Sequence, residues 1–114
     1  MPDGYFVRRG DVEQVSVIEG IQRRTLGVTD EAMVCEFHLE KGAIVPLHHH
    51  MNDQVGYVMA GEIELTVGDK TEILKVGDSY AIPGGIQHGA KARVATVLID
   101  VFSPPREDYR TEAR

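Results

Sequence analysis

Apolar and polar residues alternate with a period of two along most of this chain, over 33–39, 54–60, 62–67, 71–76, 79–82 and 93–102. Successive side chains of a strand point to opposite faces, so this period predicts β-strands; the spacing of an amphipathic helix is nearly absent. Glycines mark the breaks, at Gly42, Gly61, Gly68, Gly77 and Gly84-Gly85. The pair Gly68-Asp69 between two alternating runs predicts a short hairpin turn. Many short antiparallel strands at this spacing predict an all-β barrel or jelly roll. Residues 14–19 are strand-like as well. The run 93–102 is apolar on both parities, as expected of a strand covered on both sides. After Pro104-Pro105 the chain turns polar and is expected to be loosely held. The reading is a single domain over 1–114, with the barrel at 30–103 and a polar tail at 104–114.

Composition narrows the class without changing the fold. A chain of 114 residues buries roughly two-thirds of its unfolded surface. Its 42% hydrophobic and 26% charged content is that of an ordinary soluble protein. No apolar run approaches the about 20 residues that span a bilayer, so no membrane partner is expected. The opening Met1-Pro2-Asp3-Gly4 carries no secretory pattern, and one cysteine cannot form an intrachain disulfide, so the expected address is the cytoplasm. Cys35 shares its parity with Met33, Phe37 and Leu39 and reads as core. A net charge of −6 and a pI near 5.3 argue against nucleic acid. An anionic ligand has to be attracted locally, by Arg106, Lys91, Arg93 or a bound metal.

The candidate chemistry lies in two glycine-bracketed segments. One carries His48, His50 and Gln54, the other His88. Imidazole is the commonest protein ligand for mid-row divalent ions, and an amide oxygen can fill a further position. Residues two apart on a strand point the same way, so His48 and His50 converge while His49 faces the other side. Four residues of straight strand cover about 13 Å, too far for two ligands each about 2.1 Å from one ion. The chain therefore turns at Asn52-Asp53, and Gln54 returns on the neighbouring strand. A purification tag would sit at a terminus, which this triple histidine does not. His38, between Glu36 and Glu40 on a polar parity, reads as a surface histidine.

These residues resemble a known family. Gly42, five residues, His48-His49-His50, three residues, Gln54, six residues and Gly61 resemble the first cupin motif. Gly77, five residues, Pro83, one residue, Gly85, two residues and His88 resemble the second. The resemblance implies a small β-barrel that holds one divalent transition metal through His48, His50, Gln54 and His88. Nickel, zinc, manganese, iron and cobalt all suit such ligands. Two positions depart from the pattern: the usual glutamate of the first motif is Gln54, and the asparagine that often ends the second is Ala92. Gln54 keeps an oxygen ligand but removes its charge, which leaves a net dication and a stronger Lewis acid. Small cupins often dimerise through their β faces, so the resemblance also implies a homodimer, to which residues 14–19 could contribute.

A narrower resemblance comes from 100–109, Asp100-Val101-Phe102-Ser103-Pro104-Pro105-Arg106-Glu107-Asp108-Tyr109, together with Gln54 and the pair Gly56-Tyr57. It is similar to the pectin-degradation cupins, which linearise 4,5-unsaturated uronates from pectin or alginate to open-chain keto uronates. Read from the residues alone, Asp100 is a carboxylate in an apolar strand, either a hydrogen-bond anchor or a general acid/base. Arg106 either meets a substrate carboxylate in bidentate fashion or pairs with Glu107 or Asp108. Phe102 shares the parity of Asp100 and is an apolar wall for a sugar ring or a core residue. The expected function is thus metal-assisted uronate ring opening on a small anionic sugar. Two alternatives stand beside it. One is a metal-dependent dioxygenase, weakened because residue 50 is histidine where a His-x-Asp triad places aspartate. The other is a non-catalytic sugar-binding cupin with a structural metal.

Overall fold

Every alternating segment finds an antiparallel partner. The computed structural model describes residues 5–110; the opening 1–4 and the end of the tail, 111–114, lie outside the described residues. The strands are β1 (Val15–Ile18), β2 (Ile21–Val28), β3 (Met33–Leu39), β4 (Ile44–His48) and β5 (Asp53–Ala60). They continue as β6 (Glu62–Val67), β7 (Lys70–Lys75), β8 (Ser79–Ile82), β9 (His88–Ala92) and β10 (Thr96–Ser103). A six-stranded sheet has the order β1-β2-β3-β10-β5-β8 and a four-stranded sheet the order β4-β9-β6-β7. This is the expected jelly-roll barrel. No helix among the described residues is long and apolar enough to cross a membrane.

The inner parity of β3, Met33, Cys35, Phe37 and Leu39, is wholly buried and forms the spine of the core with Val58, Ile63, Leu98 and Phe102. At Gly68-Asp69 the chain turns between paired Val67 and Lys70. Gly68 has φ of 62° and no non-glycine residue among the described residues has positive φ, as a two-residue turn with glycine first requires.

Several expectations are corrected. The sheet begins at Val15, and β2, β4 and β9 are strands that alternation does not reveal. Arg23 and Thr25 stand on the buried parity of β2. Pro46 interrupts β4, which lies at the edge of its sheet, where a missing N–H costs no ladder bond. β9 is built of small residues around its histidine and lysine. The run 93–102 divides: β9 ends at Ala92 and β10 starts at Thr96. Leu98 and Phe102 on the inner face of β10 are buried, whereas Val97, Ile99 and Val101 on its outer face are only half-buried, because no second layer covers that face. Gln54 does not return beside β4. The chain crosses from the four-stranded to the six-stranded sheet, and the two sheets close around the site.

The tail, expected to be loosely held, is docked as far as it is described. A single 3-10 turn, Glu107–Tyr109, carries the Tyr109 ring to Phe102 and Phe37 at centroid distances of 5.6 and 5.8 Å. The Tyr109 ring and buried Pro105 supply the apolar area that holds this otherwise polar segment.

Gly61 joins β5 to β6 at φ 87°, and a Cβ there would overlap the Ala95 carbonyl oxygen and Thr96. Gly61→Ala should therefore lower stability by about 2–4 kcal/mol, read as a fall in the urea midpoint.

Candidate active site

Three histidines converge inside the barrel from three structural settings. His48 is the last residue of β4, His50 lies in the crossing loop, and His88 opens β9 opposite His48. One ring nitrogen from each lies within 4.8 Å of the others. His49 between them is exposed, as expected, although His50 reaches the cluster from the loop beyond β4 and not from the strand itself. Each converging ring places Nδ1 against a backbone carbonyl: Pro46 at 2.9 Å, Asn52 at 3.0 Å and Ile86 at 2.9 Å. A carbonyl only accepts, so Nδ1 must donate, and each neutral ring then carries its lone pair on Nε2. Such orienting bonds fix a ligating tautomer. Burial lowers the pKa of His50 and His88, with the Arg106 charge and the neighbouring histidines adding to it, which favours the neutral, ligating ring.

Two observations test whether this donor set fits a cation. His88 Nε2 is buried with no hydrogen-bond partner, a costly condition for a lone pair aimed at the shared centre. His50 Nε2 stands 3.1 Å from Gln54 Oε1. The Gln54 amide orientation is set from behind, because its Nε2 donates to Asp100 Oδ2 at 3.1 Å. Two acceptors thus face each other across a gap that a proton or a cation must fill. Three imidazole nitrogens and one amide oxygen suit a mid-row divalent ion. His48, His50, Gln54 and His88, the set expected from the sequence, are brought to one place.

Behind the ligands lies a layer of paired positions across the sheet. Asp100 of β10 is paired with Gly56 of β5, and Gly56 with Tyr80 of β8. Tyr80 donates its hydroxyl proton to Asp100 Oδ1 at 2.6 Å. Gly56 makes room for this bond, since a Cβ there would overlap both the Tyr80 ring and Asp100 Oδ1. Burial pushes the Asp100 pKa up to about 7, opposed by the hydrogen bonds from Tyr80 and Gln54. Burial and the Asp100 charge push the Tyr80 hydroxyl well above its usual value, so it remains a donor. The sequence reading passes over Tyr80, although it shares its parity with buried Ile82.

His48, Gln54, Tyr80, Asp100, Phe102 and Arg106 all line one cavity, together with apolar residues such as Ile63, Leu65 and Leu98. Phe102 is both wall and core, 1% exposed and stacked edge-on against the His50 ring at 5.8 Å. Arg106 faces the cavity while its fork engages Asp108, with Nη2 to Oδ2 at 2.9 Å and Nε to Oδ1 at 3.3 Å. Lys91 and Arg93 do not reach this site. They lie with Glu62 and Glu64 in a separate cleft, and Arg93 is paired with Glu62 at 2.7 Å. Cys35 is core, its thiol pushed up to about 11 by burial. His38 sits at the sheet's outer face beside Glu36.

Residues 35–102 match the family model for the cupin domain. This chain is a cupin. Among its relatives is the pectin degradation protein KdgF of Dickeya dadantii, 39% identical over 93 residues, which cover 80% of this chain and 84% of that protein. The structure of KdgF from Halomonas sp. superposes with a TM-score of 0.89 at 32% identity, over 94% of this cupin and 99% of that chain. An RmlC-like cupin from Shewanella frigidimarina gives 0.88 at 35% identity, over 92% and 95%.

Replacing His50 with alanine should weaken divalent-metal binding by more than about 100-fold, beyond what loss of an outer orienting partner costs. His49→Ala should leave the metal content of this cupin unchanged. Equal losses in the two variants, measured by mass spectrometry of the dialysed protein, would refute the assignment.

Proposed function

We propose that this cupin linearises 4,5-unsaturated uronates, the small anionic sugars released from pectin or alginate, to keto uronates. The observation that carries the reading is one cavity lined by His48 and His88 of the three-histidine cluster, a single carboxyl group and a cavity-facing guanidinium. Its relationship to a protein named for pectin degradation, and its likeness to a structure of KdgF, support the substrate class. A divalent ion held by His48, His50, Gln54 and His88 would supply Lewis acidity to a substrate oxygen.

The chain's own residues divide the remaining work. Arg106 orients the uronate carboxylate, which presents the same bidentate acceptor that exposed Asp108 now offers. Phe102 and the apolar wall take the face of the ring. Asp100 is the only carboxyl among the cavity-lining residues and is placed to handle the proton. Addition of water across the enol ether puts a proton on C4 and a hydroxyl on C5. Asp100 gives the first proton and takes one back from water, and the hemiketal formed opens to the C5 ketone. Water is the only co-reactant, and no oxidant enters. Tyr80 and Gln54 hold the Asp100 carboxyl in place through both oxygens. Lone, core-packed Cys35 suits a reducing compartment, and the cytoplasm is the proposed place of action.

A homodimer through the outer face of the six-stranded sheet belongs to the same proposal. Val55, Tyr57 and Met59 are 52, 44 and 51% exposed there, beside half-buried Val97, Ile99 and Val101. A contiguous apolar stripe of this kind marks an interface.

Metal-loaded protein should accelerate loss of the ultraviolet absorbance of an unsaturated uronate monomer without consuming oxygen. Asp100→Asn keeps an amide oxygen to accept from Gln54 Nε2 while its Nδ2 can donate to the Tyr80 hydroxyl oxygen, so it should retain the metal and slow turnover by about 100-fold or more. Absence of activity in the loaded wild-type protein, or parallel metal loss in Asp100→Asn, would overturn the reading. Tyr57→Lys should shift the protein to monomer in sedimentation; an unchanged sedimentation coefficient would remove the proposed dimer face.

A further inference from the structure

The barrel buries a second guanidinium to which the chemistry above gives no role. Arg23, on the inner parity of β2, is 9% exposed. Among the described residues no carboxylate pairs with it. A buried cation without a counter-charge is costly, so its contacts must compensate.

Those contacts converge on one residue. Arg23 Cζ lies 4.5 Å from the centroid of the Tyr109 ring. Arg23 Nε donates to Thr25 Oγ1 at 3.0 Å, and Thr25 Oγ1 donates in turn to the Tyr109 carbonyl oxygen at 2.6 Å. The bonds run in one direction, each donor polarised by the one before it. Arg23 therefore holds Tyr109 twice, by its ring and, through Thr25, by its backbone. Tyr109 in turn meets Arg106, whose Cζ is 4.3 Å from the same ring centroid and whose Nη1 donates to the Tyr109 hydroxyl at 3.3 Å. Each guanidinium gains from the ring's negative face. Between buried Pro105 and Tyr109 the segment has only Arg106, Glu107 and Asp108, so Tyr109 supplies the apolar hold beyond Arg106.

We propose that Arg23 is a positioning residue: it anchors Tyr109 and through it holds the Arg106 guanidinium at the cavity, where Arg106 meets the substrate carboxylate. The anchoring follows from the contacts alone, while its catalytic consequence rests on the function proposed above. The planar fork matters as well as the charge, since it lies over the ring and donates sideways to Thr25, which an ammonium group cannot do together.

The test uses the metal-loaded full chain and two readouts. Trypsin cleaves after Arg106 only when the 107–109 turn leaves the barrel, so cleavage there, followed by mass spectrometry, reports the open population. Arg23→Met should raise that cleavage rate roughly tenfold, a loss on the scale of a desolvated cation–ring contact. It should raise KM for the unsaturated uronate by a similar factor with little change in kcat and none in metal content. Arg23→Lys should behave like Arg23→Met. Thr25→Val, which removes only the hydroxyl relay, should shift both readouts the same way by less. Wild-type cleavage rates in Arg23→Met and Thr25→Val would overturn the proposal, as would full rescue by Arg23→Lys or a loss confined to kcat. Were the wild-type protein inactive on uronates, the proposed function would fall and the tryptic readout alone would decide the anchoring.

Discussion

The carboxamide of Gln54 can present either an oxygen or an amino group to the histidine cluster, and Asp100 settles which. By accepting from Gln54 Nε2 at 3.1 Å, the buried carboxyl group turns Oε1 toward His50 Nε2. Were the amide reversed, its N–H groups would cap the His50 lone pair and compete with any cation. The donor set thus depends on a residue that is not itself a donor. Asp100 in turn keeps its place because Tyr80 satisfies its other oxygen, and Tyr80 reaches it because position 56 has no side chain. A row of cross-strand partners, Asp100, Gly56 and Tyr80, therefore fixes chemistry one layer above it.

The backbone supplies the other half of the preorganisation. All three Nδ1 atoms are held by carbonyls two residues away in sequence, so each ring is oriented by its own local chain. Sheet edges and crossings leave such carbonyls free of ladder bonds. This is why the cluster gathers where β4 ends, where the chain crosses between sheets and where β9 begins. Oriented lone pairs in a half-buried site attract a cation more strongly than the same groups in water.

How far the sequence discloses this arrangement depends on whether a residue's parity agrees with its chemistry. Met33, Cys35, Phe37 and Leu39 are apolar at inward positions, so β3 and its core face are legible. His48, His50, Gln54 and His88 are legible through the spacing of two motifs, even though Gln54 returns on the opposite sheet. Arg23 and Thr25 are polar at inward positions, and the alternation that identifies a strand is hidden there. Tyr109 is a lone aromatic among charged residues, and only the fold shows that Phe37 and Phe102 leave a slot for its ring. Tyr80 is the recoverable omission: a hydroxylated ring on the parity of Ile82 in a short strand is a buried donor that needs an acceptor, and Asp100 is a buried carboxyl in need of a donor.

Charge placement joins the fold to the proposed substrate. The chain carries a net charge of −6, yet Arg23 and Arg106 stand within 4.5 Å of one ring at the edge of the cavity, and the histidine cluster has no ionised ligand among the residues that form it. Lys91 and Arg93 lie in a cleft they share with glutamates and add little to the interior potential. Interior charges are screened far less than surface ones, so the cavity field is set by the few ionisable groups inside it, Arg106 and the Asp100 carboxyl among them. A neutral donor set leaves the full charge of a bound divalent ion uncompensated. Arg106 and a bound divalent ion then favour a small anion that can enter the barrel, while the chain's net charge of −6 disfavours long polyanions. On the proposed function, discrimination between a released uronate and its parent polymer would follow from where these charges sit.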